Sequence, residues 1–147
     1  MDRNSRARLL ADPARAGVHR VSTADLPGCT AAAGEAGLQV FRIDLAPVRD
    51  KDALLAAIGA AMDFPDWYGR NLDALADCLA DLGWRPAEGY AAILEGCDAV
   101  ARSAQADFLA TLRIFADAAD VWREEGIPFW CLVEVPAGVL PGLKDLA

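Results

Sequence analysis

The run Pro128-Phe129-Trp130-Cys131-Leu132-Val133-Glu134-Val135 constrains the fold more than any other part of this chain, because it is apolar almost from end to end. A strand without a polar face is a strand covered on both faces, the situation of a central strand in a parallel sheet with helices on each side. Tyr90-Ala91-Ala92-Ile93-Leu94-Glu95, stopped by Gly96, has the same character. Two further strands are expected at Val18–Val21, which alternates apolar and polar residues, and at Leu38–Asp44. Between these two, Thr23–Pro27 reads as a turn and Thr30–Ala36 as a short helix closed by Gly37. Strand, helix and strand in that order suggest a parallel crossover unit, and the fold class is α/β.

Helices fill the rest of the pattern. Leu54, Leu55, Ile58, Ala61 and Met62 recur at three-to-four spacing, with Asp50 or Asp52 at the start and Phe64-Pro65 at the end. Asn71 is a plausible N-cap for a helix running to about Leu82, closed by Gly83. After an irregular stretch, the longest helical pattern runs from about Ala104 to Glu125, with Phe108, Leu112, Phe115, Ala119 and Trp122 as its apolar stripe.

With 147 residues, the chain is expected to hold one domain over 17–135, preceded by a loosely held arginine-rich head at 1–16 and followed by a tail at 136–147. Pro13 interrupts any helix in the head. Apolar residues make up 54% and charged residues 24%, which excludes global disorder. Fourteen basic against 22 acidic side chains leave a net charge of −8, and residues 1–20 alone carry five arginines against two aspartates. The remaining 127 residues therefore hold nine basic against twenty acidic groups, a body that repels nucleic acid and attracts basic partners. Cys29, Cys78, Cys97 and Cys131 form no CxxC pair and His19 is the one histidine, so the cysteines are expected to be reduced and buried, with no zinc. No apolar segment is long enough for a signal peptide or a membrane span, and a cytoplasmic protein, monomeric when free, is the expectation.

The stretch with chemical content is Phe64-Pro65-Asp66-Trp67-Tyr68-Gly69-Arg70-Asn71-Leu72-Asp73-Ala74-Leu75-Ala76-Asp77-Cys78-Leu79. At about 100° per residue, Asp73, Asp77 and Asp81 fall within about 80° of one another, while Leu75, Leu79 and Leu82 lie opposite. Arg70 falls at about 60° on the same wheel, placed to neutralise part of the acidic face. A solvated outer face explains such a cluster as readily as a function does, although like charges one turn apart repel. Trp67, beside Tyr68 in a Gly-flanked loop, is either a core plug or an exposed aromatic anchor. Trp84, Trp122 and Trp130 fit core roles by pattern, and His19 carries no chemistry. Asp73 and Asp77 as an acid–base pair or divalent-metal site would need a phosphate loop, a nucleophile–histidine arrangement or a second cluster, which the sequence does not offer; no enzyme and no cofactor are expected.

Residues 64–79 closely resemble the signature of the barstar family, intracellular inhibitors of the secreted ribonuclease barnase, and a looser likeness extends from about Leu38 to Val135. The resemblance implies a small parallel sheet of three family strands packed by helices, to which Val18–Val21 would add a fourth parallel strand. It implies that Asp73 and Asp77 face a basic ribonuclease of barnase-like type, the second standing in for a substrate phosphate among arginines. Trp67, Gly69, Asn71, Ala76 and Trp84 would belong to the same surface. Arg70 stands where barstar carries an acid and Ala76 where it carries a large aromatic, and a further acid of the late helix falls, counting back from Gly126 without gaps, on Val121, with Asp117 and Asp120 nearby, so the cognate enzyme is expected to differ from barnase. The alternative is an interaction module of the same fold that binds another basic protein.

Overall fold

The computed structural model describes residues 2–146 as a four-stranded, all-parallel sheet with helices on both faces. In chain order the elements are α1 (Arg3–Leu10), a single 3-10 turn (Pro13–Arg15), β1 (Val18–Val21), α2 (Leu26–Glu35), β2 (Gln39–Asp44), α3 (Lys51–Ala61), α4 (Leu72–Asp81), β3 (Tyr90–Glu95), α5 (Asp98–Ser103), α6 (Gln105–Glu124) and β4 (Phe129–Glu134). The strand order β1-β4-β3-β2 puts the two unbroken apolar strands in the centre. Alternate residues then serve opposite faces. Phe129, Cys131 and Val133 join Tyr90, Ala92 and Leu94 in a core shared with α3, α4 and α6. Trp130, Leu132 and Ala91 enter a second, smaller core.

Val18–Val21 does pair in parallel with β4, as a fourth strand. β1 and β2 run parallel and are joined through α2, as the crossover reading expects, but they occupy opposite edges of the sheet with β4 and β3 between them. A local strand–helix–strand pattern reports direction, while adjacency is decided by the later, more apolar strands that take the centre.

The head is expected to be loose, but residues 2–16 pack on the rest of the chain. Asp2 accepts a hydrogen bond from the Ser5 amide at 2.8 Å and so caps α1. Leu9 and Leu10 are buried against Cys29, Ala32 and Ala33 of α2, and the Trp130 indole N–H donates to the Leu10 carbonyl at 2.7 Å. Arg123, near the end of α6, donates to the carbonyls of Pro13 and Ala16. Pro13 ends this helix without preventing it.

Residues 136–146 are likewise more than a tail. Leu140 is buried, and the chain returns to the free edge of β1: the Arg20 amide donates to the Lys144 carbonyl at 2.7 Å, and the Leu146 amide donates to the Arg20 carbonyl at 2.9 Å. The Arg20 guanidinium pairs with Asp145 at 2.9 Å.

Smaller differences have local causes. Helix α2 starts at Leu26, four residues before the expected start, because Pro27 sits in the first turn, where its missing N–H is no loss. Leu82, not Gly83, adopts the left-handed cap of α4 (φ 51°), and its side chain is fully buried. A short helix, α5, occupies the stretch expected to be irregular.

All four cysteines are free and buried. Burial, with Asp77 and Asp81 nearby, pushes the Cys78 thiol up to about 11, so it stays protonated at neutral pH.

Half-buried His19 packs against the Trp130 ring at 5.4 Å between centroids. Burial lowers its pKa below the ordinary 6.5; the backbone carbonyls of Arg15 and Asp145 oppose the shift, and Lys144 and Arg15 add to it. The unfolded chain therefore binds this proton first. The stability gained from neutral His19 is intact above pH 6.5 and lost as pH falls through the folded-state value. The melting temperature should drop as pH falls below about 6.5, and His19→Gln should flatten that slope. An unchanged slope in the variant would refute this.

Candidate functional site

The signature stretch forms one side of the molecule through the way α3 ends. Asp63 takes the left-handed conformation (φ 55°), and the Phe64 amide reaches back to the Gly59 carbonyl at 2.9 Å, the reverse turn that closes many helices. The following loop is held by its aromatics. Tyr68 lies on α3 over Gly59, where an added Cβ would come within 2.7 Å of the ring, and its hydroxyl donates to the Leu55 carbonyl at 3.1 Å. Phe64 stands edge-on to Tyr68 (4.8 Å) and to Trp84 (5.9 Å).

Read from the sequence, Gly59 has no role, Phe64 is only a helix end and Tyr68 is only the neighbour of Trp67. A glycine inside an apolar helical pattern was the available signal. Gly59→Ala should displace Tyr68 and cost about 1–3 kcal/mol of stability, read by denaturant unfolding. A neutral result would show that the loop does not depend on this seat.

Trp84 is half-buried and donates its indole N–H to the Met62 carbonyl at 3.2 Å. It is thus a support rather than a fully buried core residue. Trp122 is also half-buried, donating to the Leu79 carbonyl at 2.8 Å, and only Trp130 of the three is fully enclosed. Trp67 rests edge-on against Trp84 at 6.2 Å and is 57% exposed, which decides between core plug and surface aromatic in favour of the surface.

Asn71 begins α4 by accepting a hydrogen bond from the Ala74 amide at 2.8 Å. Gly69 leaves room for that side chain, since a Cβ there would sit 3.0 Å from its amide nitrogen. The helix buries Leu75, Cys78 and Leu79 and exposes Asp73, Ala76, Asp77 and Asp81. All seven residues expected on the binding surface therefore lie on the loop, on α4 or just after it, and all but half-buried Trp84 are exposed.

Neither Asp73 nor Asp77 forms an ion pair with any described residue, and neither does Arg70. The wheel angle for Arg70 fails because this residue precedes the helix in a left-handed conformation (φ 53°), which costs an L-residue about 1–2 kcal/mol. On α6, Val121 is 47% exposed, while neighbouring Asp120 is paired with Arg123 at 2.5 Å. Among the described residues no group of three or more His, Cys, Asp or Glu side chains is placed to hold a metal ion. No helix there is long and apolar enough to cross a membrane. What this side of the molecule offers is two unpaired carboxylates one helical turn apart, with a flat apolar ring on the adjoining loop.

The family profile described as "Barstar (barnase inhibitor)" matches residues 38–134. The chain belongs to the barstar family. The match covers β2 through β4, including α4 and its loop, and leaves out α1, β1 and α2. A Bacillus subtilis (strain 168) protein described as "Putative ribonuclease inhibitor YrdF" is 74% identical over 23 residues, which span 16% of this chain and 23% of that protein. Among solved structures, the Aeropyrum pernix ORC2 protein (ADPNP-ADP complexes) resembles this chain at a TM-score of 0.58 and 18% identity, covering 94% of this chain and 41% of that one. That likeness concerns the fold alone, and it reaches beyond the residues matched by the barstar profile.

Proposed function

We propose that this barstar-family chain inhibits a basic ribonuclease of barnase-like type, seating α4 and the loop before it in the enzyme's active site, where the carboxylates take the place of RNA phosphate. One observation carries this reading: Asp73 and Asp77 are exposed on one face of a capped helix without an internal counter-ion, beside exposed Trp67. Free carboxylates on a rigid helix accept paired hydrogen bonds from arginine at little further ordering cost. Trp67, on its Trp84 support, supplies apolar area of the kind that dominates interface energetics. Gly69, Asn71 and Ala76 shape the same contact. The chain performs no reaction in this scheme, acts in the cytoplasm and is a monomer until it meets its enzyme.

Arg70 and Ala76 favour a second reading, an interaction module of the same fold for another basic protein, because each changes the character of the face. The deciding experiment is inhibition of a panel of basic secreted ribonucleases, barnase included, by the natural chain and by Asp73→Ala and Asp77→Ala. Inhibition lost in both variants at unchanged melting temperature supports the inhibitor. No inhibition across the panel supports the module.

Steering by complementary charge acts on the association rate. That rate should fall about tenfold or more between roughly 0.01 and 0.15 M ionic strength. A salt-independent rate would count against an electrostatic surface.

A further inference from the structure

Arg70 is the one basic side chain of the signature stretch, and the inhibitor reading leaves it unused. Arg70 is exposed, as are Asp66, Asp73 and Asp77, yet it pairs with no described carboxylate. It also occupies a backbone conformation (φ 53°) that glycine would fill without strain. Beside it runs a groove of about 270 Å³, lined by Ala56, Gly59 and Ala60 of α3 and by Phe64, Pro65, Asp66 and Tyr68 of the loop, so that Arg70 offsets the charge of Asp66 there. The α3 side is built of residues with at most one side-chain carbon, so a side chain from outside reaches Arg70 along it.

A uniformly basic partner drawn to Asp73 and Asp77 would bring like charge against Arg70. An unpaired guanidinium enclosed in an interface is penalised by desolvation as well as by repulsion. A partner with one acidic side chain at that point avoids both.

We infer that Arg70 and the α3 groove form the specificity determinant of this surface, selecting a ribonuclease that presents a carboxylate into the groove beside the basic residues met by Asp73 and Asp77. This rests on the inhibitor reading above.

The test compares the natural chain with R70E, R70G and D77A on the same ribonuclease panel, with melting temperatures measured in parallel. For the enzyme the natural chain inhibits best, R70E should weaken inhibition about tenfold or more and R70G less. Replacing the facing carboxylate of that enzyme by lysine should restore inhibition by R70E. R70G removes the charge and relieves the backbone, so it keeps the comparison valid if R70E folds poorly.

If D77A abolishes inhibition while R70E and R70G stay within about twofold of the natural chain, the Arg70 assignment falls and the inhibitor reading stands. If both Arg70 variants strengthen inhibition of every enzyme alike, Arg70 is repulsive without selecting, and the assignment also falls. If no enzyme is inhibited by any variant, the inhibitor reading falls and takes this one with it.

Discussion

Asp77→Ala is expected to weaken inhibition of the cognate ribonuclease by about 2–5 kcal/mol, or between roughly thirtyfold and several thousandfold. The size follows from geometry. Asp77 projects from the exposed face of α4, one turn beyond Asp73, and has no ion pair within the described chain. Its full hydrogen-bonding capacity is available to a partner, and removing it leaves the partner's cations enclosed and unmatched. The effect should appear mainly in the dissociation rate, since one charge of many does little to long-range steering. Asp145→Ala, which breaks the exposed pair with Arg20, is the matched control and should leave inhibition within about 1 kcal/mol of the natural chain. Equal losses in the two variants would remove α4 from the binding surface.

Leu10→Ala is expected to lower stability by about 2–5 kcal/mol, a fall of roughly 4–20 °C in melting temperature for a domain of this size. Leu10 is completely buried in the core built around Trp130 and Leu132, and its carbonyl accepts the Trp130 indole N–H. Inhibition below the transition should be unaffected, because α4 packs on α3 and α6, in the core on the opposite face of the sheet. A loosely held head would give a change under about 0.5 kcal/mol, and that outcome would overturn the packing of α1.

How much was legible depended on whether the signal was local. Strands β3 and β4 were plain because burial on both faces leaves no polar alternation, and Asn71 was plain because a cap needs one residue type at one place. The acidic face of α4 followed from helical spacing alone, and the structure keeps Asp73 and Asp77 together there. Helix α1 escaped notice because three arginines surround its two buried leucines, whose apolar partners come from α2, β3 and β4. The return of residues 144–146 to β1 was invisible for another reason: it is made chiefly of backbone hydrogen bonds, which impose no side-chain pattern. Trp67 could not be placed by pattern because a tryptophan beside a tyrosine suits core and surface equally. Only its edge-on seat on Trp84 and its exposure settle it.

The pairing of Arg20 with residues 144–146 also sets an order of events during synthesis. Strand β1 leaves the ribosome more than a hundred residues before its sheet neighbour β4, and residues 144–146, which close its outer edge, follow later still. Residues 18–21 must therefore wait, unpaired, until β4 and residues 144–146 have been made. The acidic helix packs mainly on α6, which is translated well before that closure. In a newly made molecule the surface that would meet a nuclease can thus be assembled before β1 and residues 144–146 lock the sheet.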